Sequence, residues 1–248
     1  MIALITGASS GLGRDFALKL SSCGYNLILV ARNKRKLEEL SKKINTKVYI
    51  EALDLSSKEN CIKLFNKYKN IDLLINNAGF GLFGYFDKTN LDVELNMIDL
   101  NIRAVHILTK LYLQEMIKKD KGKILNVASS AAFLPGPLMN TYYSTKSYVF
   151  KLTMAIYEEL RRLKSNVKVS VLCPGPVNTN FNSVANVKFS FKSLSSKYVT
   201  SYALKKLKKN KLIIIPGISS KLGYIGCKIL PLKLQLMIDY NIQKGKEK

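Results

Sequence analysis

IALITGASSGLGRDFALKL, residues Ile2 to Leu20, decides the fold. Its first five residues are a short apolar run of strand formers, and after Gly7 the pattern passes through a glycine turn into helical spacing. Strand, glycine turn and helix start is the arrangement in which backbone N–H groups at a helix N-terminus receive a phosphate. The glycines are Gly7, Gly11 and Gly13, spaced Gly-x-x-x-Gly-x-Gly rather than the commoner Gly-x-Gly-x-x-Gly, with Ser9, Ser10 and Leu12 among them. A plain helix-entry turn could use the same residues, so the reading needs support from further along the chain.

That support is a repeating alternation. NLILVARN (26–33) reads as a second strand ending at Ala31 and Arg32, followed by the helix-like KRKLEELSKK; KVYIEALDL (47–55) is a third, ending in Asp54 and Leu55; IDLLINNAG (71–79) is a fourth, ending in Asn76, Asn77, Ala78 and Gly79. KILNVAS (123–129), VKVSVLCPG (167–175) and IIIPG (213–217) continue the series. Strands alternating with helices imply parallel pairing through right-handed crossovers. The expectation is one α/β domain over residues 1–248: a doubly wound parallel sheet of about seven strands with helices on both faces. Ligands bind such sheets beyond the carboxyl ends of the strands. At the end of the second strand an acidic residue would hold a ribose 2′-hydroxyl, whereas an arginine suits a 2′-phosphate. Arg32 stands there with no carboxylate before Glu38, so NADP(H) is favoured over NAD(H).

Composition limits the alternatives. The net charge is +23, with 34 lysines to 6 arginines, and the excess is scattered rather than clustered. Without arginine-rich or aromatic-interleaved patches, nucleic acid is not an expected partner. Cys23, Cys61, Cys173 and Cys227 are far apart and form no Cys-x-x-Cys, and the start carries no secretory signal, so the expectation is a reduced, cytoplasmic protein with no metal site. The single histidine, His106, lies in an apolar helical run and reads as a packed or interface residue, which argues against a Ser-His-Asp hydrolase.

The chemistry is read from residues 141–163. Val149, Leu152, Ile156, Leu160 and Leu163 recur at gaps of three and four, one buried helical face, and the same gaps run backwards to Lys146 and Tyr142. A phenol beside an ammonium on one inward face is a proton donor whose pKa can be drawn down from about 10. The spacing alone is weak, because Tyr-x-x-x-Lys recurs at Tyr202/Lys206, Tyr224/Lys228 and Tyr240/Lys244. Only Tyr142 has a serine, Ser129, thirteen residues upstream, after a strand; Phe189, Lys211 and Cys227 stand at that distance from the others. Asn101, inside the helical run of residues 91–116, is out of place in a helix interior and marks either a kink or a function.

With these residues in order, the chain resembles the short-chain dehydrogenase/reductase family in its short single-domain branch. The resemblance rests on TGASSGLG at Thr6–Gly13, Asp54, NNAG at Asn76–Gly79, Asn101, Ser129, YYSTK at Tyr142–Lys146 and PGPVNT at Pro174–Thr179. It implies hydride transfer between a nicotinamide and a carbonyl or alcohol carbon. Tyr142 would exchange the proton, Lys146 would lower its pKa and bond the nicotinamide ribose, Ser129 would hold the substrate oxygen and Asn101 would complete a proton relay. Gly7, Ser9, Ser10, Gly11, Leu12 and Gly13 would admit the pyrophosphate. Arg32, Asp54, Leu55, Asn77, Ala78 and Gly79 would meet the adenosine half, and Pro174, Gly175, Val177 and Thr179 would wrap the nicotinamide. A homodimer or homotetramer through the helices at 91–118 and 141–163 is also implied.

Two stretches remain. Residues 176–200, with Phe181, Val184, Phe189 and Phe191, would form either a substrate loop suited to a small-molecule hydrophobic carbonyl or alcohol compound of medium or large size, or a solvated loop or packing helix. The last 48 residues hold eleven lysines, no arginine and two acidic residues around KLGYIGCKILPLKLQLMI. Packing of this basic, apolar segment (about 218–248) on the body or a neighbouring subunit is expected ahead of contact with an anionic membrane surface. A spanning helix is excluded by its interrupting Lys and Pro.

Overall fold

The computed structural model describes residues 1–179 and 193–245. β1 (Ile2–Thr6), β2 (Asn26–Ala31), β3 (Val48–Ala52), β4 (Leu73–Asn76), β5 (Lys123–Val127), β6 (Lys168–Leu172) and β9 (Ile213–Ile214) form one parallel sheet in the order β3-β2-β1-β4-β5-β6-β9. A two-residue pair, β7 (Val177–Asn178) and β8 (Leu194–Ser195), stands apart from it. Winding reverses between β1 and β4, which leaves a crevice above their carboxyl ends. Most of the predicted substrate loop, with Phe181, Val184, Phe189 and Phe191, lies outside the described residues.

Alternation along each strand divides the core between the two faces. Ala3 and Ile5 of β1 join Phe16, Ala17 and Leu20 of α1 (Gly11–Ser21) on one side. Leu4 joins the other, with Leu64 of α3 (Lys58–Lys67) and Leu108, Tyr112 and Met116 of α5 (Val105–Lys118). Helix starts follow capping chemistry. Asn33 accepts from the Lys36 N–H ahead of α2 (Lys34–Ser41), Ser57 from Asn60 ahead of α3, Asn90 from Val93 ahead of α4 (Leu91–Ile98) and Ser195 from Tyr198 ahead of α7 (Ser196–Lys208). Helix α6 (Asn140–Arg162) buries Val149, Ile156 and Leu160 of the stripe read from its spacing and half-buries Leu152, whereas Leu163, just past the helix end, is exposed.

Two features depart from the sequence reading. The apolar runs overshoot their strands: Leu53–Leu55 and Asn77–Gly79 leave the sheet and become the rim of the crevice. The run at 91–116 is not one regular helix, because a π-helical segment, Asp99–Ala104, separates α4 from α5 and carries Asn101 fully buried. His106 is exposed, its Nδ1 2.6 Å from the Tyr148 hydroxyl.

A polar cluster sits in the apolar interior next to the crevice. Asn76 Nδ2 donates to Asn126 Oδ1 at 2.9 Å and to Thr109 Oγ1 at 3.0 Å, and Asn126 Nδ2 donates to Thr153 Oγ1 at 3.0 Å. It links β4, β5, α5 and α6 through satisfied partners, and breaking it strands buried donors and acceptors. Asn126→Ala should therefore cost about 3 kcal/mol; urea unfolding of variant and parent at equal slope tests this, and a cost below about 1 kcal/mol would show the cluster to be dispensable.

Candidate active site

The floor of the crevice is the turn between β1 and α1. Gly7 (φ +66°) and Gly11 (φ +53°) hold backbone conformations that side chains disfavour. A Cβ on Gly7 would stand 2.9 Å from the Ala78 Cα, one on Gly13 2.7 Å from Asn77 Nδ2, and one on Gly11 3.0 Å from Thr179 Cγ2. The turn is thus pressed against the end of β4, and hydrogen bonds lock the contact. Thr6 Oγ1 accepts the N–H groups of Asn77 (2.9 Å) and Ala78 (3.0 Å), while Asn77 Nδ2 donates to the Thr6 carbonyl at 3.0 Å. Ser10, at the N-cap of α1, makes no side-chain cap, and Ser10, Gly11 and Leu12 line the crevice. An uncapped helix start facing a cleft leaves backbone N–H groups suited to an anion such as a phosphate.

The wall is built from β5, its following turn and α6. Ser129 precedes a 3₁₀ turn (Ser130–Phe133), its Oγ accepting the Ala131 N–H at 3.1 Å, and it also hydrogen-bonds Tyr142. Lys146, one turn along α6, is 5% exposed and donates to the Val127 carbonyl at 3.1 Å. Burial draws its pKa down to about 8. Burial likewise pushes the Tyr142 phenol up to about 12, with the Ser129 hydrogen bond pulling it back. The Lys146 ammonium lies 5.8 Å from the Tyr142 ring centroid. A positive charge beside the ring favours the phenolate and so opposes the rise caused by burial.

Asn101 stands behind this wall rather than in the cleft. Its Oδ1 accepts the Phe80 N–H at 3.1 Å, and its Nδ2 donates to the Phe80 carbonyl at 2.9 Å and to Thr145 Oγ1 at 3.1 Å. Gly79 separates it from the lysine, since a Cβ there would lie 2.8 Å from Asn101 Oδ1 and 3.2 Å from Lys146 Nζ.

One cavity of about 420 Å³ collects most of the residues singled out from sequence: Gly7, Ser9, Ser10, Gly11, Leu12, Arg32, Asp54, Leu55, Asn77, Ala78, Gly79, Ser129, Tyr142, Lys146, Pro174, Gly175, Val177 and Thr179. Gly13 and Asn101 are not on its surface but pack directly behind it. Arg32 is largely exposed at the rim, with Nη1 4.0 Å from Asp54 Oδ2. Sequence reasoning missed Phe80, Met139 and Tyr143, which line the end nearest Tyr142 in an apolar cluster with Met97, Ala131 and Leu134. The signal for Tyr143 was present in the Tyr142/Tyr143 doublet; Phe80 and Met139 are brought in only by the tertiary fold.

A doubly wound sheet with a glycine turn and a serine–tyrosine–lysine wall defines a dinucleotide-binding oxidoreductase scaffold. The chain matches the family model for short chain dehydrogenase over residues 1–188. It belongs to the short-chain dehydrogenase/reductase family of oxidoreductases. It is similar to an uncharacterised oxidoreductase of Staphylococcus epidermidis, 32% identical over 182 residues that cover 72% of this chain and 78% of that protein. A short-chain dehydrogenase from Sphingobium yanoikuyae in complex with NADPH superposes with a TM-score of 0.83 at 25% identity, covering 96% of this chain and 95% of that one. The bulky-bulky ketone specific alcohol dehydrogenase from Comamonas testosteroni superposes with a TM-score of 0.79 at 25% identity, covering 96% and 94%.

Lys146 sets a pH dependence. Its folded pKa, about 8, lies below its ordinary 10.5, so between these values the unfolded chain holds a proton that the folded site does not. The lysine's contribution to stability is complete above the ordinary value and is lost as pH falls through about 8. Relative to Lys146→Met, the parent should therefore gain about 2 kcal/mol between about pH 8 and about pH 10. Parallel denaturation curves of the two proteins across that range would show no lysine effect if the ammonium is in fact well solvated.

Proposed function

We propose that the protein is an NADP(H)-dependent oxidoreductase that interconverts a small apolar carbonyl compound and its alcohol, with Tyr142 as general acid/base. The observation that carries this reading is the Ser129–Tyr142 hydrogen bond on the wall of the same cleft that the uncapped start of α1 faces. The nicotinamide, when bound, supplies or accepts the hydride.

The remaining roles fall to the chain's own residues. Ser129 and Tyr142 hold one substrate oxygen between two hydroxyls, and Tyr142 passes its proton to that oxygen in reduction or takes it in oxidation. Lys146, charged below about pH 8, steadies the phenolate that forms. Asn101 fixes Phe80 and, through Thr145, the turn of α6 that presents Tyr142; Thr145 Oγ1 in turn donates to the Tyr142 carbonyl at 2.7 Å. A proton relay past Gly79 is consistent with the closeness of Asn101 and Lys146 to that glycine. Phe80, Met139 and Tyr143 favour an apolar substrate, as does the likeness to a bulky-ketone enzyme. Arg32 at the rim, unopposed by a carboxylate at the end of β2, supports preference for a 2′-phosphate. Asp54 competes for it only at 4.0 Å. Assembly through α4 and α6 is supported by the open groove between them, lined by Phe86, Ile98, Ile102 and Tyr148.

Turnover of NADPH with a panel of ketones and aldehydes, followed by absorbance, tests the reading. Tyr142→Phe should lower kcat by at least about a thousandfold while leaving NADPH affinity nearly unchanged; full activity in that variant would refute the assignment. Arg32→Ala should weaken NADPH binding by about ten- to a hundredfold and leave NADH binding alone. Equal weakening of both would remove the 2′-phosphate from the argument.

A further inference from the structure

The two last helices, α8 (Ile218–Ile229) and α9 (Leu232–Lys244), reverse the usual sense of an amphipathic helix. In α9 the buried positions are Asp239 and Gln243, four apart and both polar, with Gln235, Tyr240 and Ile242 half-buried beside them. Asp239 Oδ2 accepts the Gly136 N–H at 3.0 Å; Gln243 Nε2 donates to Asp239 Oδ1 at 3.0 Å and to the Tyr143 hydroxyl; Gln235 Nε2 donates to the Cys227 carbonyl at 3.1 Å. The apolar residues Leu232, Leu234, Leu236, Met237 and Ile238 face outward. Helix α8 buries no residue completely and is held by Tyr224 against Phe133, ring centroids 4.6 Å apart. Its outward residues are Ile218, Leu222, Ile225 and Ile229, spaced four, three and four apart and 77%, 63%, 52% and 75% exposed. Polar contacts against the protein and a set of exposed apolar side chains outside, with lysines among them, suit surroundings less polar than water.

Charge selects which surroundings. Lys221, Lys228, Lys233 and Lys244 are exposed among these apolar side chains, and the one carboxylate between residues 218 and 245, Asp239, is 1% exposed and turned inward. A second copy meeting through the same face would set lysine against lysine, whereas an anionic lipid surface complements both the charge and the apolar stripe. No helix of the described residues is long and apolar enough to cross a membrane, so the contact is with one leaflet.

We propose that α8 and α9 form an interfacial face that seats the protein on anionic bilayers, its Ile, Leu and Met side chains entering the acyl boundary and its lysines meeting the headgroups. Packing on the body was expected for this segment; the polar contacts supply that packing and leave the exposed apolar side chains to the membrane. The test is cosedimentation of the full chain with phosphatidylcholine vesicles, with and without phosphatidylserine, at low and high salt. Binding should require phosphatidylserine and fade at high salt. Replacing Lys221, Lys228 and Lys233 by Gln should weaken partitioning by about fivefold per lysine. The combined Leu222→Ser, Ile225→Ser and Ile229→Ser variant should lose at least about tenfold with its melting temperature and its oligomeric state by light scattering unchanged. Failure of the parent to bind phosphatidylserine vesicles, equal binding to pure phosphatidylcholine, or parent-like binding of the serine variant would each overturn the proposal. If the serine variant instead breaks up an oligomer in vesicle-free solution, the face belongs to a second copy. If the parent binds only after residues 180–192 are replaced by a flexible linker, it belongs to that segment; either result also overturns the proposal.

Discussion

An ammonium group held out of water is the constraint from which the rest of the site follows. Lys146 reaches the carboxyl end of β5 and donates to the Val127 carbonyl, with Gly79 and Asn101 on its other side. No carboxylate contributes to its pKa, so the cost of burial shows directly as a lowered value. Such a group stays in place only if the scaffold around it is rigid enough to deny it an escape to solvent. The apolar stripe of α6 and the satisfied amide cluster of Asn76, Asn126, Thr109 and Thr153 supply that rigidity. The cluster lies where β4 and β5 approach the crevice, so the element that fixes the core also fixes the wall.

The floor and the wall are coupled through the end of β4. Thr6 receives two backbone N–H groups from Asn77 and Ala78, and Asn77 returns its amide to Thr6 and Gly7. One residue further, Gly79 stands between Asn101 and Lys146, and Phe80 is held at both its N–H and its carbonyl by Asn101. A shift of this strand end would therefore move the glycine turn and the lysine together. The π-helical segment serves the same linkage: it turns Asn101 inward at a point where a regular helix would have carried straight on.

What could be read from the sequence was what is local. The glycine turn, the central part of each strand and the 3.6-residue stripe of α6 from Val149 to Leu160 are encoded within a few positions of one another, and these fell where their patterns placed them. The crevice was legible too, because every strand end it uses carries its own short signature. Strand ends were overrun because hydrophobicity continues past the last paired residue, as after Ala52, where Leu53 and Leu55 serve the rim. The bonds Asn126–Thr153, Asn126–Asn76, Asn101–Thr145 and Gln243–Tyr143 were out of reach, since they join residues 27 to 100 positions apart and depend on how helices pack.

The C-terminal segment was the hardest to read, for a physical reason. Hydrophobic periodicity assigns the apolar face of a helix to the interior, and α8 and α9 invert that assumption. What docks α9 is a short series of hydrogen bonds, in which Asp239 accepts the Gly136 N–H and Gln243 donates to the Tyr143 hydroxyl, Asp239 and Gln243 both being nearly inaccessible. Gly136, at φ +67°, leaves no room for a side chain against the Tyr143 ring. The same glycine thus admits the tyrosine beneath the loop and offers its N–H to the helix above. Since Tyr143 also lines the cavity beside Tyr142, the segment least recognisable in sequence sets the shape of that end of the cleft.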